Sequence, residues 1–382
     1  MRFATRDVVI AGIGRTAISR ASGRTPLAMA AEACRAALDD AGMAAADVDG
    51  IGTFAVADSP RSMEVAYALG RDATRCNLDL YGGGHQSPLL VMQAMLAVSA
   101  GQCDAMLVYR SLNGRSGVRF GTGAGASSVG SILQYSAPSG YMVPGQWFAL
   151  WARRHMYRYG TTEEDLGHVA ILSRRHAAAN SAALLRDPID MDAYLASRRI
   201  NDPFRLFDCA LEADGAVALL ITTAERARDL RQVPVRALGG QVHMGSGGYV
   251  DAWPDMAEMY AAHLAAPLWA QAGLGPGDVQ VACLYDCFTY TALCTAEDFG
   301  FCEKGEGGAF FASPRATYGG DVVVNPHGGL LCEGYIHGFN HHHEAVLQVR
   351  GQAEARQVAD ARVALVSGGG PAYGSAIVYA RD

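Results

Sequence analysis

The chain has 382 residues, half of them hydrophobic and only 18% charged, which excludes a disordered chain and gives length for about two or three domain-sized units. A formal net charge of −7 speaks against a nucleic-acid partner for the chain as a whole. Nine unevenly spaced cysteines without a C-x-x-C pair, no charged-then-apolar leader in Met1–Arg15, and no run of roughly 18 apolar residues set the expectation of a reduced, cytoplasmic protein with no structural metal and no membrane span.

Strands and helices alternate along the chain. Val8-Val9-Ile10-Ala11 reads as a buried strand that ends at Gly12. Thr25-Pro26 supplies an N-cap and a first-turn proline, Leu27, Ala30, Cys34 and Leu38 follow at helical spacing, and Gly42 stops the helix. Asp47 to Val56 returns to strand. Gly82-Gly83-Gly84 leads into a helix with Ser87-Pro88 as N-cap and first turn. Apolar residues all round Leu89–Ala100 predict burial on every side, with His85 just before the partially positive helix end.

Between the strands predicted at Asp104–Tyr109 and Gly215–Thr222 lie about a hundred residues, too many for a connection in a compact α/β unit. An inserted loop domain over about 110–205 is expected there, where insertions often build substrate sites. The charged stretch Thr223–Pro234 separates the halves, giving 1–225 and 233–382. Ala41-Gly42-Met43 followed by Asp47-Val48 matches Ala272-Gly273-Leu274 followed by Asp278-Val279, each after an Ala-rich helix and before an apolar strand, so the halves read as an internal duplication. Two later glycine clusters, within Asn325–His343 and at Gly368-Gly369-Gly370 after a strand at Val363–Val366, mark close approaches of backbone to a ligand. His341-His342-His343-Glu344 has metal-ligand residue types, but consecutive helical residues point about 100° apart and do not share one ion easily.

Several segments, in order, resemble the thiolase superfamily, and within it the sterol-carrier-protein-x thiolases and lipid-transfer-protein-like proteins. They are Tyr159-Gly160-Thr161-Thr162-Glu163-Glu164-Asp165-Leu166, Asp202-Pro203-Phe204-Arg205-Leu206-Phe207-Asp208-Cys209 and Asp214-Gly215-Ala216-Val217-Ala218 in the first half. Tyr285-Asp286-Cys287-Phe288 stands where the family has His-Asp-Cys-Phe. Gly334-Tyr335-Ile336-His337-Gly338 stands for Gly-His-Pro-x-Gly, and Ser367-Gly368-Gly369-Gly370 for the terminal Cys-x-Gly-Gly loop. The resemblance implies an α/β thiolase fold, five layers α-β-α-β-α from two duplicated halves, usually a homodimer, with coenzyme A lying over the loop domain.

All four chemical positions depart from the family pattern. The nucleophilic cysteine is His85, the base histidine is Tyr335, the second cysteine is Ser367 and the oxyanion-hole histidine is Tyr285. Without a thiolate in place, acyl-enzyme chemistry has no carrier. A retro-aldol cleavage needs none: one group takes a proton from a β-hydroxyl, the carbon–carbon bond breaks, and a second group protonates the thioester enolate. These departures resemble the aldolases of bacterial steroid side-chain degradation. That resemblance puts the chemistry on Tyr285 and Tyr335, with the analogy leaning to Tyr285 as base and Tyr335 as acid. It implies a steroid β-hydroxyacyl-CoA as substrate, a 17-keto steroid and a short acyl-CoA such as propionyl-CoA as products, no cofactor beyond coenzyme A in the substrate, and a separate OB-fold partner chain. His85, His337 and Ser367 are expected as supporting groups, with the backbone N–H groups of Gly369 and Gly370 holding the thioester oxygen. The arginine pairs at 153–154 and 174–175 read equally as solvated faces or as partners of coenzyme A phosphates. Two other readings stand beside the aldolase: a non-catalytic acyl-CoA-binding scaffold, and a thiolase with a displaced nucleophile.

Overall fold

The computed structural model describes residues 5–117, 119, 133–245 and 255–381. Part of the expected insertion, residues 118 and 120–132, lies outside them. In chain order the strands and helices are β1 (Val8–Arg15), α1 (Pro26–Ala41), β2 (Gly50–Ala55), α2 (Ser62–Ala68), β3 (Cys76–Tyr81), α3 (Gln86–Ser99) and β4 (Ala105–Asn113). The insertion follows with α4 (Leu133–Ser136), α5 (Pro144–Tyr159), α6 (Glu163–Ala177), α7 (Met191–Ala196), β5 (Arg199–Asn201) and β6 (Phe204–Arg205). Then come β7 (Asp214–Thr223), α8 (Ala224–Ala227), β8 (Val235–Met244), α9 (Ala261–Ala272), β9 (Val281–Cys283), α10 (Thr289–Asp298), α11 (Gly307–Ala312), β10 (Val323–Val324), α12 (Gly329–Cys332), α13 (Phe339–Arg350), β11 (Val363–Gly369) and β12 (Tyr373–Ala380).

The duplication is written in the strand order. One set runs β3-β2-β4-β7-β1 and the other β10-β9-β11-β12-β8, and the sets meet where β1 pairs with β8 through Val9–Arg236 and Ile10–Val235. The pairings correspond: β2 is parallel to β3 and β4 as β9 is to β10 and β11, and β7 is antiparallel to β1 and β4 as β12 is to β8 and β11. The matched turns agree as well. Gly42 and Gly273 both end their helices in the left-handed conformation, at φ 75° and 67°, which a glycine adopts without a Cβ penalty.

Both sheet faces are buried, so the strands read as continuous apolar runs. Ala216, Ala218 and Leu220 of β7 pack under α1, while Val217, Leu219 and Ile221 join a core with Leu90, Val91 and Ala94 of α3 and Phe339, Val346 and Val349 of α13. That core also contains Val281, Val366 and Ile377 of the second set, so α3 and α13 lie between the two sets. Leu365, Ala376 and Val378 face the third core with α9, α10 and the inserted helices. These are the five layers.

Five local expectations are corrected. Gly12 does not end β1; the strand continues to Arg15 through an irregularity at Ala11, and a Cβ on Gly12 would overlap the carbonyl of Ala37 in α1. β4 runs to Asn113 rather than stopping at Tyr109, which puts Arg110 inside the sheet. α3 starts at Gln86, with His85 rather than Ser87 at the N-cap. It is also not buried all round, because Leu96 is 62% exposed beside the edge strand β3. Gly368 and Gly369 belong to β11 instead of following it.

Candidate functional site

The two tyrosines reach one place from different segments. Tyr285 follows β9, and its position is fixed on both sides. Its backbone N–H donates to Ser367 Oγ at 3.1 Å, and Asn325 closes both backbone groups of Leu284 at 2.8 and 2.9 Å. Tyr335 follows α12, and its N–H donates to the Leu211 carbonyl at 2.8 Å. Asp286, next to Tyr285, accepts from the N–H groups of Leu330 and Leu331 at 2.8 and 3.3 Å and so ties one tyrosine's loop to the other's. The outcome is a hydrogen bond of 2.6 Å between the Tyr285 and Tyr335 hydroxyls, with the rings edge to face at 6.3 Å.

Room for the Tyr285 ring comes from two glycines. A Cβ on Gly84 would overlap its Cζ and Oη, and one on Gly338 would lie 2.9 Å from its Cδ2 and Cε2. Burial holds both phenols above the ordinary tyrosine range. At Tyr285 the neighbouring Tyr335, Cys287 and Asp286 add to that. At Tyr335 the hydrogen bond with Tyr285 and the charge of Arg110 offset part of it. Both are neutral at rest.

Both tyrosines line a cavity of about 850 Å³. Trp147, Phe148, Ile189, Phe207 and Phe288 form an apolar wall, while Arg20, Arg115, Arg119, Arg174 and Arg198 put positive charge around the space. Among the described lining residues the only acid is Glu212, which pairs with Arg119. Arg174 is buried, stacks on Phe207 at 5.1 Å and donates to the Asp187 carbonyl at 3.0 Å. Arg153 pairs with Asp202 outside the cavity.

His85 lines the cavity, and its carbonyl accepts from Ser375 Oγ at 2.6 Å; burial lowers its imidazole to about 4, so it is neutral. His337 lines it too, with Nδ1 facing the buried guanidinium of Arg110. Gly369 and Gly370 are in the wall, but the Gly370 N–H already donates to the Tyr373 carbonyl at 2.8 Å, so it is not the oxyanion donor expected from the sequence. Ser367 is fully buried and is not among the lining residues; it holds the backbone of Tyr285. Three thiols line the cavity, Cys209, Cys287 and Cys332. Burial raises each of them, Cys209 and Cys332 to about 12, which removes the thiolate a displaced nucleophile would need.

Two buried groups have the residue types of a metal site: Cys283 with His327 and His341, and His155 with Cys294 and Glu297. In the first, His327 Nε2 and His341 Nδ1 share a hydrogen bond of 3.1 Å. In the second, His155 meets Glu297 at 2.8 Å and the Lys304 ammonium stands 3.2 Å from the same carboxylate. No helix among the described residues is long and apolar enough to cross a membrane.

The sequence reading missed Arg110 and its partner Asp58, and the clearances at Gly84 and Gly338. Arg110 carried a usable signal: an arginine ending the apolar run Ala105–Tyr109 must find partners once the strand is buried.

Comparison with known proteins identifies the family and the fold. Residues 240–380 match the family model described as Thiolase C-terminal domain-like. The chain is 38% identical, over 98% of its own length and 97% of the relative's, to a steroid side-chain-cleaving aldolase of Thermomonospora curvata. It is 40% identical, over 95% and 96%, to a 17-hydroxy-3-oxo-4-pregnene-20-carboxyl-CoA lyase of Mycobacterium tuberculosis. A solved Ltp2-ChsH2(DUF35) aldolase superposes with a TM-score of 0.92 at 37% identity, covering 100% of this chain and 99% of that one.

Proposed function

The chain belongs to the thiolase superfamily, in the group of its steroid side-chain-cleaving aldolases, and from that premise we propose that it cleaves a β-hydroxyacyl-CoA by a retro-aldol reaction in which Tyr285 and Tyr335 move the proton. One observation carries the reading: two neutral phenols joined at 2.6 Å in the wall of one cavity, where the family's cysteine position holds His85.

The net reaction moves a single proton from the β-hydroxyl oxygen to Cα. The O–H bonding pair becomes the second bond of the ketone, the Cα–Cβ pair becomes the enolate, and Cα takes a proton. A neutral phenol pair can relay it. Tyr285 accepts the hydroxyl proton as it passes its own to Tyr335, and Tyr335 protonates Cα, which returns the pair to its starting state. The charge of Arg110 favours loss of the proton from Tyr335, which suits that phenol to donate to carbon. The cycle asks for no covalent intermediate and no cofactor, coenzyme A entering as part of the substrate.

The cavity supports a steroid thioester in two ways. Its aromatic wall suits a rigid apolar ring system, and the five arginines suit the phosphates of coenzyme A. We place the products as a 17-keto steroid and a short acyl-CoA such as propionyl-CoA. The second component named in the solved relative supports a separate partner chain, for which the family resemblance implies an OB-fold. An unpaired edge at β3, with Tyr81 81% exposed, supports a second copy of this chain as another. The nine free cysteines fit a reducing cytoplasm.

The test offers a β-hydroxyacyl-CoA, with the partner chain present, and measures ketone and free acyl-CoA. Tyr285→Phe and Tyr335→Phe should each lower kcat by about 10²–10⁴-fold while acyl-CoA binding persists. Normal turnover by both variants removes the assignment, and tight binding without turnover by the native chain leaves only a binding scaffold.

A further inference from the structure

We infer that the buried Arg110, held by the half-buried Asp58, forms a clamp that fixes His337 as its Nε2–H tautomer, so that this ring donates a hydrogen bond to the thioester oxygen as the enolate forms. The inference rests on the retro-aldol reading above and adds a positioning residue, Arg110, that acts through His337.

Arg110 has no solvent exposure, and each contact of its guanidinium is directional. Nη2 and Nε stand 2.8 and 3.2 Å from His337 Nδ1, Nη2 is 2.5 Å from Asp58 Oδ2, and Nη1 donates to the Ser111 carbonyl at 3.2 Å. The plane is held over the Phe54 ring at 5.1 Å. A guanidinium has donors and no acceptor, so Nδ1 must accept and the ring proton sits on Nε2. Nδ1 faces into the sheet toward Arg110, while the residue lines the cavity beside Tyr335, ring to ring at 4.9 Å. His337 also has φ 52°, a backbone conformation uncommon for a non-glycine residue and held by its surroundings.

The reaction needs such a donor. Negative charge develops on the thioester oxygen, and a pre-oriented N–H there stabilises it without reorganisation. The Gly370 N–H is already taken by Tyr373. A histidine serves as a fixed donor only if its proton cannot move and its charge does not change. Among the described residues, charged and titratable groups facing it include Arg110 from β4, with Asp58 behind it, His85 from the start of α3, and Tyr335. Burial first, then Arg110 and His85, hold the imidazole well below its ordinary range, so it stays neutral. The guanidinium adds a permanent positive charge on the far side of the ring from the developing enolate.

Two measurements decide it. In the full chain with its partner, ¹⁵N-labelled at histidine, the His337 signal is assigned by its loss in His337→Gln. We expect a protonated Nε2 and a bare Nδ1 from about pH 6 to pH 9; a protonated Nδ1 overturns the clamp, and this reading needs no variant of Arg110. In the cleavage assay Arg110→Lys, which keeps the charge but loses the fork, should lower kcat at least about tenfold with KM within about twofold. It should also add an acidic limb to the pH profile as His337 begins to titrate. His337→Gln, which keeps an N–H, should retain more kcat than His337→Phe. Wild-type kcat and pH profile in Arg110→Lys, or equal losses in the two His337 variants, overturn the proposal. A native enzyme that cleaves no β-hydroxyacyl-CoA would instead bring down the retro-aldol reading, and the tautomer measurement would still judge the clamp.

Discussion

At the scale of single residues, the site depends as much on absent side chains as on present ones. Tyr285 lies against Gly84 because Gly84 has no Cβ; an alanine there would overlap the ring at Cζ and Oη. Gly84→Ala should therefore push the phenol off its 2.6 Å bond to Tyr335. A misplacement of about 1 Å can cost roughly 10²-fold in rate, so kcat should fall by that order while KM moves little. Steady-state kinetics check the rate, and a structure of the variant checks the displaced ring. Retained kcat would mean that the phenol pair need not touch.

At the scale of elements, Glu333 at the end of α12 joins four segments. It pairs with Arg15 of β1 at 2.9 Å and accepts from Asn180 beyond α6 at 3.0 Å and from Asn340 of α13 at 2.7 Å. Burial raises its carboxyl, but His327, Arg15 and the two amides outweigh burial and bring it to about 2, from an ordinary 4.5. His327 is itself neutral at physiological pH, since burial takes it to about 3, so Arg15 and the amides are the partners that matter there. A depressed carboxylate contributes stability that is fully present above about 4.5 and is lost as pH falls through about 2. At neutral pH only the part of that depression due to Arg15 and the amides contributes, because His327 is uncharged there. Glu333→Gln should lower Tm at pH 7 and flatten the fall of Tm between those two pH values. An unchanged acid limb would show that Glu333 does not set it. Two residues further on is Tyr335, so the same variant should loosen the site.

At the scale of the whole molecule, charge is unevenly placed. The chain carries a formal −7, yet among the described residues its cavity gathers five arginines against one acid. A polyanionic substrate is drawn to that region of an otherwise repelling surface, and salt weakens the attraction of its exposed members. KM for a coenzyme A ester should rise with ionic strength. Arg115→Glu combined with Arg198→Glu should raise it about tenfold or more with little change in kcat. The matching pantetheine ester, which lacks the nucleotide phosphates, should show neither effect. Equal sensitivity of the two esters would move coenzyme A elsewhere. The duplicated sheet explains how one cavity meets both tyrosines: β9 and α12 belong to the second half, and the inserted helices roof them, α5 with Trp147 and Phe148 and α6 with Ala170 and Arg174.

The amino-acid sequence by itself determined the alternation of elements, the repeat, the insertion and the loss of a cysteine before α3, because each is a local pattern of apolar spacing, glycine and proline, or a residue type at a fixed place in a motif. It also marked Tyr285 and Tyr335, which stand in recognisable motifs. Only the tertiary structure decided that their hydroxyls meet, since 50 residues, including α10, α11 and β10, separate them. It alone showed that Gly370 is occupied within its hairpin and that Ser367 sits behind the cavity wall. Arg110 and His337, 227 positions apart, become neighbours only when β4 and the turn before α13 pack together. Such contacts depend on how layers stack, and nothing in the local pattern of either segment encodes the distance between them.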